Sequence, residues 1–124
     1  MNAKKQNILQ LFSTMTAYFS PKIIAEVNDV YVKLAKVKGQ DVPWHIHENE
    51  DELFYVIKGS LLLEFRKDDP VYLDAGELFR VKAGMEHRAS SEEECWLMLI
   101  ENKSTLHTGD VKSSITKTID EQHY

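Results

Sequence analysis

Large apolar residues recur at intervals of three and four in the N-terminal part of the chain: Ile8, Leu11, Phe12, Met15, Tyr18 and Phe19. This spacing predicts an amphipathic helix over residues 8–19, because such intervals place side chains on one helical face. Pro21 follows, and proline cannot continue a helix, so the helix is expected to close before it.

Short apolar or alternating runs fill the rest of the chain up to residue 101, and turn residues separate them. The first two runs, 22–27 and 30–37, flank Asn28 and Asp29, a pair typical of a tight hairpin turn. Glycine and acidic clusters punctuate the later runs at short intervals. The pattern predicts an all-β fold, a small antiparallel sandwich or barrel with a short N-terminal helix.

Two of the predicted strands are apolar on both faces. In residues 95–100, Cys95, Leu97 and Leu99 share one face, and Trp96, Met98 and Ile100 share the other. Residues 53–57 have the same character. One face can fill a barrel interior, so the other has to be covered by the N-terminal helix or by a second subunit.

The composition fits a single globular domain. The chain has 124 residues, 43% of them hydrophobic, and a formal net charge of -5. We divide it into an N-terminal helix and arm (1–27), a barrel core (28–101) and a polar C-terminal tail (102–124). The negative charge gives no basic surface for nucleic acid or for a membrane. Cys95 is the only cysteine, which excludes an intrachain disulfide and favours a cytoplasmic protein.

The chemistry suggested by the sequence centres on histidine. His45 and His47 are two residues apart, so in a strand they share a face and can bind one metal ion. Glu52 follows an acidic turn (48–51), which can reset the alternation and aim its side chain back at the histidines. His87 follows Gly84 much later in the chain. Each residue alone also fits an ordinary solvated side chain, and both interpretations remain open at this level.

The joint placement of these residues around glycines resembles the cupin superfamily. Its first motif is G(X)5HXH(X)3–4E(X)6G, which residues 39–59 match at every fixed position: Gly39, His45, His47, Glu52 and Gly59. Its second motif is G(X)5PXG(X)2H(X)3N, which residues 76–91 match at Gly76, Gly84 and His87. Lys82 stands in place of the usual proline and Ser91 in place of the asparagine, which puts the local turn shape in question. The chain is similar to the small single-domain cupins.

The resemblance implies a small antiparallel barrel or jelly roll, often dimeric, with a metal ion inside. It assigns the metal ligands to His45, His47, Glu52 and His87. Three imidazoles and one carboxylate suit a divalent transition metal, namely manganese, iron, nickel, copper or zinc. Four protein ligands leave coordination positions open for water or a substrate. No residue is assigned a catalytic role of its own.

Alternation along the strands also predicts the lining of the pocket. The expected inward-facing residues are apolar: Phe54, Val56, Phe79, Val81, Ala89 and Met98. Arg80 and Lys82 are expected to point outward, which weighs against a phosphorylated sugar as ligand. Two functions remain: a metal-dependent oxygenase or isomerase acting on a small molecule, or a non-enzymatic module that binds a metal or a small ligand. We expect a homodimer in either case.

Overall fold

The computed structural model describes residues 4–105 and Gln122. In this part of the chain one short helix precedes seven strands, and the strand pairings are all antiparallel. The elements are α1 (Ile8–Thr14), β1 (Lys22–Val27), β2 (Val30–Gly39), β3 (Glu52–Lys58), β4 (Ser60–Phe65), β5 (Val71–Asp74), β6 (Leu78–Val81) and β7 (His87–Asn102). The predicted fold class is therefore confirmed. Most of the predicted C-terminal tail, 102–124, lies outside the described residues.

Helix α1 is shorter than the sequence pattern predicts. It begins after Asn7, whose side chain accepts a hydrogen bond from the Gln10 amide at 3.1 Å. It ends at Thr14, because Met15 is already extended. The hydroxyl groups of Ser13 and Thr14 donate to carbonyl groups three residues earlier, a bond that competes with helical continuation. Within the described residues, no helix has the length and apolar character that a membrane span requires.

The segment from residue 15 to residue 21 forms an arm that crosses β2 instead of extending the helix. The Lys36 ammonium donates to the Met15 carbonyl at 2.7 Å, and the Phe19 amide donates to the Lys36 carbonyl at 2.9 Å. Phe19 has a φ of 54°, which is rare for a bulky side chain. Its ring is buried in the main core, so the arm adds an aromatic side chain to the barrel interior.

Strand β7 links the two sheets of the molecule. Its first part pairs with β4, from Phe65↔His87 to Leu62↔Ser90. Its later part lies between β2 and β3 in a sheet ordered β1-β2-β7-β3-β6. The predicted β1–β2 hairpin turns at Asn28 and Asp29. Because one long strand serves both sheets, their inner faces enclose one core.

The two faces of β7 are packed as the alternation predicts. Cys95, Leu97 and Leu99 are buried in the main core between the sheets. On the outer face, Trp96 and Met98 pack against α1, and the Trp96 ring stacks on Phe12 with a centroid separation of 4.9 Å. The N-terminal helix is therefore one cover of the outer face.

Candidate metal centre

The segment that carries His45 and His47 is held by backbone bonds to the start of β7. His45 and His87 form an isolated antiparallel bridge, and the Gly84 amide donates to the His47 carbonyl at 2.8 Å. The strand predicted around His45 and His47 is thus reduced to a single bridging residue, His45. Inward and outward side chains still alternate along it. His45 and His47 are buried and Ile46 is only partly so.

Glu52 is the first residue of β3 and faces inward. Its Oε1 atom lies 3.4 Å from His47 Nε2 and 3.4 Å from His87 Nε2. The preceding turn is fixed by Asp51, whose carboxylate accepts a hydrogen bond from the Ala83 amide at 2.9 Å. Asp51 thereby joins the acidic turn to the segment that leads into His87.

The structure brings the four predicted ligands together. One ligand atom from each of His45, His47, Glu52 and His87 can be chosen so that all four lie within 4.8 Å of one another. Ligand atoms about 2.0–2.2 Å from one ion are at most about 4.4 Å apart. Small inward shifts of these side chains would therefore bring all four ligand atoms within bonding distance of one ion.

The buried polar atoms at this centre fit a metal ion. Among the described residues, His47 Nε2, Glu52 Oε1 and His87 Nε2 are buried without a hydrogen-bond partner. Leaving such atoms unsatisfied costs about 1–3 kcal/mol each. An ion among them would satisfy them all, and three imidazole nitrogens with one carboxylate form a donor set for a divalent transition metal.

The outer nitrogens of two ligands are fixed by the backbone. His45 Nδ1 lies 2.8 Å from the Pro43 carbonyl, and His87 Nδ1 lies 2.8 Å from the Met85 carbonyl. A carbonyl only accepts, so each Nδ1 carries the proton and each Nε2 keeps a lone pair. This is the tautomer that a metal-binding histidine with an oriented ring requires.

The electrostatics keep His45 and Glu52 in metal-binding protonation states. Burial, reinforced by the nearby His87, lowers the pKa of His45 to about 4, so its imidazole is neutral near pH 7. Burial alone would raise the pKa of Glu52, but His47, His87 and Glu101 together hold it well below its usual range. Glu52 is therefore a carboxylate.

Two charged residues beside this centre were missed by the sequence reasoning. Glu101 lies opposite Glu52 across the β3–β7 pairing, and Lys33 Nζ lies 2.5 Å from a Glu101 oxygen. Both side chains are almost fully buried. Alternation offered a signal, since Glu101 continues the inward series of β7 and Lys33 that of β2.

A cavity of about 60 Å³ adjoins the metal ligands. Two ligands, His45 and Glu52, form part of its wall, and its other described lining residues are apolar: Phe19, Pro21, Ala35, Val37, Val42, Phe54, Ala89, Leu97 and Leu99. At about 10–15 Å³ per water molecule on this measure, it has room for only a few. The contributions of Phe19 and Pro21 were not anticipated.

The predicted pocket residues fall into three groups. Phe54 and Ala89 line the cavity. Val56 and Val81 are buried in the same core, with Phe79 packed against it. Met98 was placed wrongly, because it lies on the outer face of β7 and packs with the helix. Leu97 and Leu99 take the inward positions, as strand alternation requires.

Arg80, Lys82 and Cys95 add no reactive group to the described lining of the cavity. Arg80 and Lys82 are exposed, as expected from the orientation of β6, and Arg80 lies 3.6 Å from Asp51. Cys95 is fully buried, and burial raises the pKa of its thiol to about 12. Cys95 is therefore not a thiolate nucleophile near pH 7.

Comparison with known proteins shows the family to which this chain belongs. The family model described as "Cupin domain" matches residues 35–101, which is more than half of the chain. The chain therefore belongs to the cupin family.

Individual relatives cover most of the chain. It is 33% identical over 101 residues to the uncharacterized protein YdbB of Bacillus subtilis, covering 82% of this chain and 88% of that protein. A cupin-2 domain containing protein from Shewanella frigidimarina has a similar structure, with a TM-score of 0.74, 41% identity and coverage of 78% of this chain and 93% of the other. Protein NMB1881 from Neisseria meningitidis follows with a TM-score of 0.72, 27% identity and coverage of 80% and 99%.

Proposed function

We propose that this cupin binds one divalent transition metal ion through His45, His47, Glu52 and His87 and uses it to act on a small, weakly polar molecule. The observation that carries the proposal is the set of three buried, unpartnered ligand atoms next to an apolar cavity. Manganese, iron, nickel, copper and zinc all suit this donor set. Four protein ligands leave open coordination positions, which suits a reactive site better than a purely structural one.

The metal, when bound, would supply Lewis-acid or redox chemistry, in an isomerisation or in an oxygenation with dioxygen as the oxidant. The chain itself holds the ligand set and excludes water. His45 and Glu52 face the cavity, and Phe54 and Leu99 beside them are apolar. A substrate would therefore be selected by its size and apolar surface and oriented by one polar group near the ligands.

A phosphorylated substrate is poorly matched to this cavity. Its described lining includes no lysine or arginine, and both Arg80 of β6 and Lys82, which follows β6, are exposed. Burying a phosphate without cationic partners costs several kcal/mol. We therefore propose a neutral or weakly polar substrate.

A non-enzymatic role is the second candidate, and the small volume of the cavity favours it. A space of about 60 Å³ holds a few water molecules more readily than a drug-sized ligand, which needs a pocket of about 300–1,000 Å³. In that case the protein would bind a metal or a very small ligand without converting it.

Turnover distinguishes the two functions. Wild-type protein loaded separately with each of the five metals would be mixed with small neutral phenols, enols and carbonyl compounds, and NMR and an oxygen electrode would record product and oxygen uptake. We expect product with one metal, and none with His47→Ala. Glu48→Gln is the matched control, since Glu48 is an exposed acid of the same motif. Metal-dependent shifts of ligand signals without product would support the binding module, and absence of both would contradict the proposal.

A further inference from the structure

A buried ion pair lies directly behind the proposed metal ligands. Lys33 is 1% exposed and Glu101 4% exposed, and Lys33 Nζ lies 2.5 Å from a Glu101 side-chain oxygen. The Lys33 ammonium also donates to the side-chain carbonyl of Gln122. Removing two charges from water costs several kcal/mol per ion, so these partners are needed for Lys33 to stay buried as a cation.

This pair is connected to the metal centre through one carboxyl group. Glu52 and Glu101 are cross-strand partners on β3 and β7, both are buried, and their carboxyl groups lie within hydrogen-bonding reach of each other. Two carboxyl groups can form such a bond only if one of them carries the proton. The two carboxyl groups therefore hold one proton and one negative charge between them, and the Lys33 ammonium balances that charge.

The Glu52 carboxylate has the histidines on one side and Glu101 on the other. Its Oε1 atom faces His47 and His87 and has no hydrogen-bond partner among the described residues. The bond from Glu101 restrains the rotation of the carboxylate about its last torsion, which is otherwise broad. Lys33 in turn restrains Glu101. The chain of contacts thus runs from a buried ammonium to the metal-facing oxygen.

We propose that Glu101, held in place by Lys33, is a positioning residue that orients the Glu52 carboxylate and so sets the affinity and coordination geometry of the metal site. The inference rests on the proposed metal site. Partners of this kind, which contact a ligand and not the ion, typically change metal affinity about 10- to 100-fold when removed. The effect acts through the Glu52 side chain, so it differs from a general loss of stability.

Three variants separate positioning from packing. Glu101→Leu removes both the bond to Glu52 and the acceptor for Lys33. Glu101→Gln keeps a donor for Glu52 and an acceptor for Lys33, because an amide has both. Glu93→Ala changes an exposed acid of the same strand and serves as the matched control. Cobalt(II) is the probe, because its visible absorption reports the geometry of its ligands, and competition with a chelator gives its affinity.

We expect Glu101→Leu to bind cobalt about 10- to 100-fold more weakly than wild type and to show an altered visible spectrum even when saturated. Glu101→Gln should stay within about threefold of wild type with an unaltered spectrum, and Glu93→Ala should match wild type. Unchanged affinity and spectrum in Glu101→Leu would overturn the inference alone. Failure of wild type to bind cobalt or any of the five metals would instead overturn the proposed function together with it.

If Glu101→Leu does not fold, Lys33→Met decides the matter, since methionine retains much of the lysine volume and removes the ammonium. We expect it to weaken cobalt binding and change the spectrum in the same direction as Glu101→Leu. Wild-type affinity and spectrum in a folded Lys33→Met protein, together with a wild-type result for Glu101→Gln, would overturn the inference.

Discussion

His45 and His87 exchange both of their backbone hydrogen bonds. The His45 amide donates to the His87 carbonyl at 3.0 Å, and the His87 amide donates to the His45 carbonyl at 2.9 Å. This isolated bridge brings together the two segments that carry the three histidines of the candidate metal centre. The position of the imidazoles is therefore set by backbone pairing between distant parts of the chain.

The first prediction concerns metal content. Purified protein should carry about one divalent metal ion per chain, because four buried ligand atoms lie within 4.8 Å of one another. His47→Ala should remove most of it, as measured by plasma mass spectrometry. Equal metal content in wild type and in a variant with His45, His47 and His87 all changed to alanine would show that the cluster does not hold the ion.

The second prediction concerns the pH dependence of stability in metal-free protein. The pKa of His45 falls from 6.5 to about 4 on folding, so between these values the unfolded chain binds more protons than the folded one. His45 therefore destabilises the protein progressively as pH falls from about 6.5 to about 4, by roughly 3 kcal/mol in total. Urea unfolding at several pH values measures this. The control, His45→Gln, should have a shallower acid slope, and an identical slope would contradict the assignment.

The third prediction concerns Gly59, the last glycine of the first motif. It has a φ of +86°, and a Cβ added there would lie 2.6 Å from the Glu94 carbonyl oxygen. Gly39 has nearly the same φ, +85°, but open space around the added atom. Gly39→Ala should cost about 1–2 kcal/mol of unfolding free energy, and Gly59→Ala about 1–3 kcal/mol more because of the clash. Chemical denaturation measures the unfolding free energy of both variants. Equal losses in Gly39→Ala and Gly59→Ala would rule out the steric explanation.

The fourth prediction is that the protein is a homodimer. Val32 and Leu53 flank Ile100 in register on neighbouring strands, and all three are only partly buried. The helix packs against Leu34, Trp96 and Met98 instead, so this part of the outer face needs another cover. Light scattering should return about twice the 14.3 kDa of one chain.

The same apolar face suggests a variant that tests the dimer. Ile100→Lys should shift the protein towards monomer, whereas Tyr72→Lys should not, since Tyr72 is 70% exposed on β5, away from this face. A wild-type mass near 14 kDa at micromolar concentration would speak against the dimer.

The fifth prediction concerns sugar phosphates. Mannose 6-phosphate and its isomers should bind no better than millimolar and should not be turned over, because the described cavity lining contains no cation for the phosphate. Calorimetry with metal-loaded protein measures the affinity. Micromolar binding that is lost in Arg80→Ala would mean that the phosphate reaches a side chain which we place on the outside.

Local patterns in the sequence were enough to predict which residues of a strand share a face. Alternation assigned Leu97 and Leu99 to one face and Trp96 to the other, and the structure has them there. Such facing depends on residues close together in the chain, so backbone geometry links it directly to the sequence. The resemblance of the two motifs to the cupin superfamily also identified all four members of the candidate metal centre, although His87 lies far along the chain from the other three.

Tertiary structure decided the features that depend on contacts between distant segments. Helix α1 stops at Thr14 although the apolar stripe continues to Phe19, because the arm gains hydrogen bonds to Lys36. Glu101 lies beside the candidate metal centre because the register of β3 against β7 places it opposite Glu52. Alternation along β7 indicates only that Glu101 faces inward, and neither periodicity nor motif spacing gives its partner. The register between two strands that are distant in the chain is set by the packing of the whole sheet. That register determines which residue lies opposite a buried acid such as Glu101.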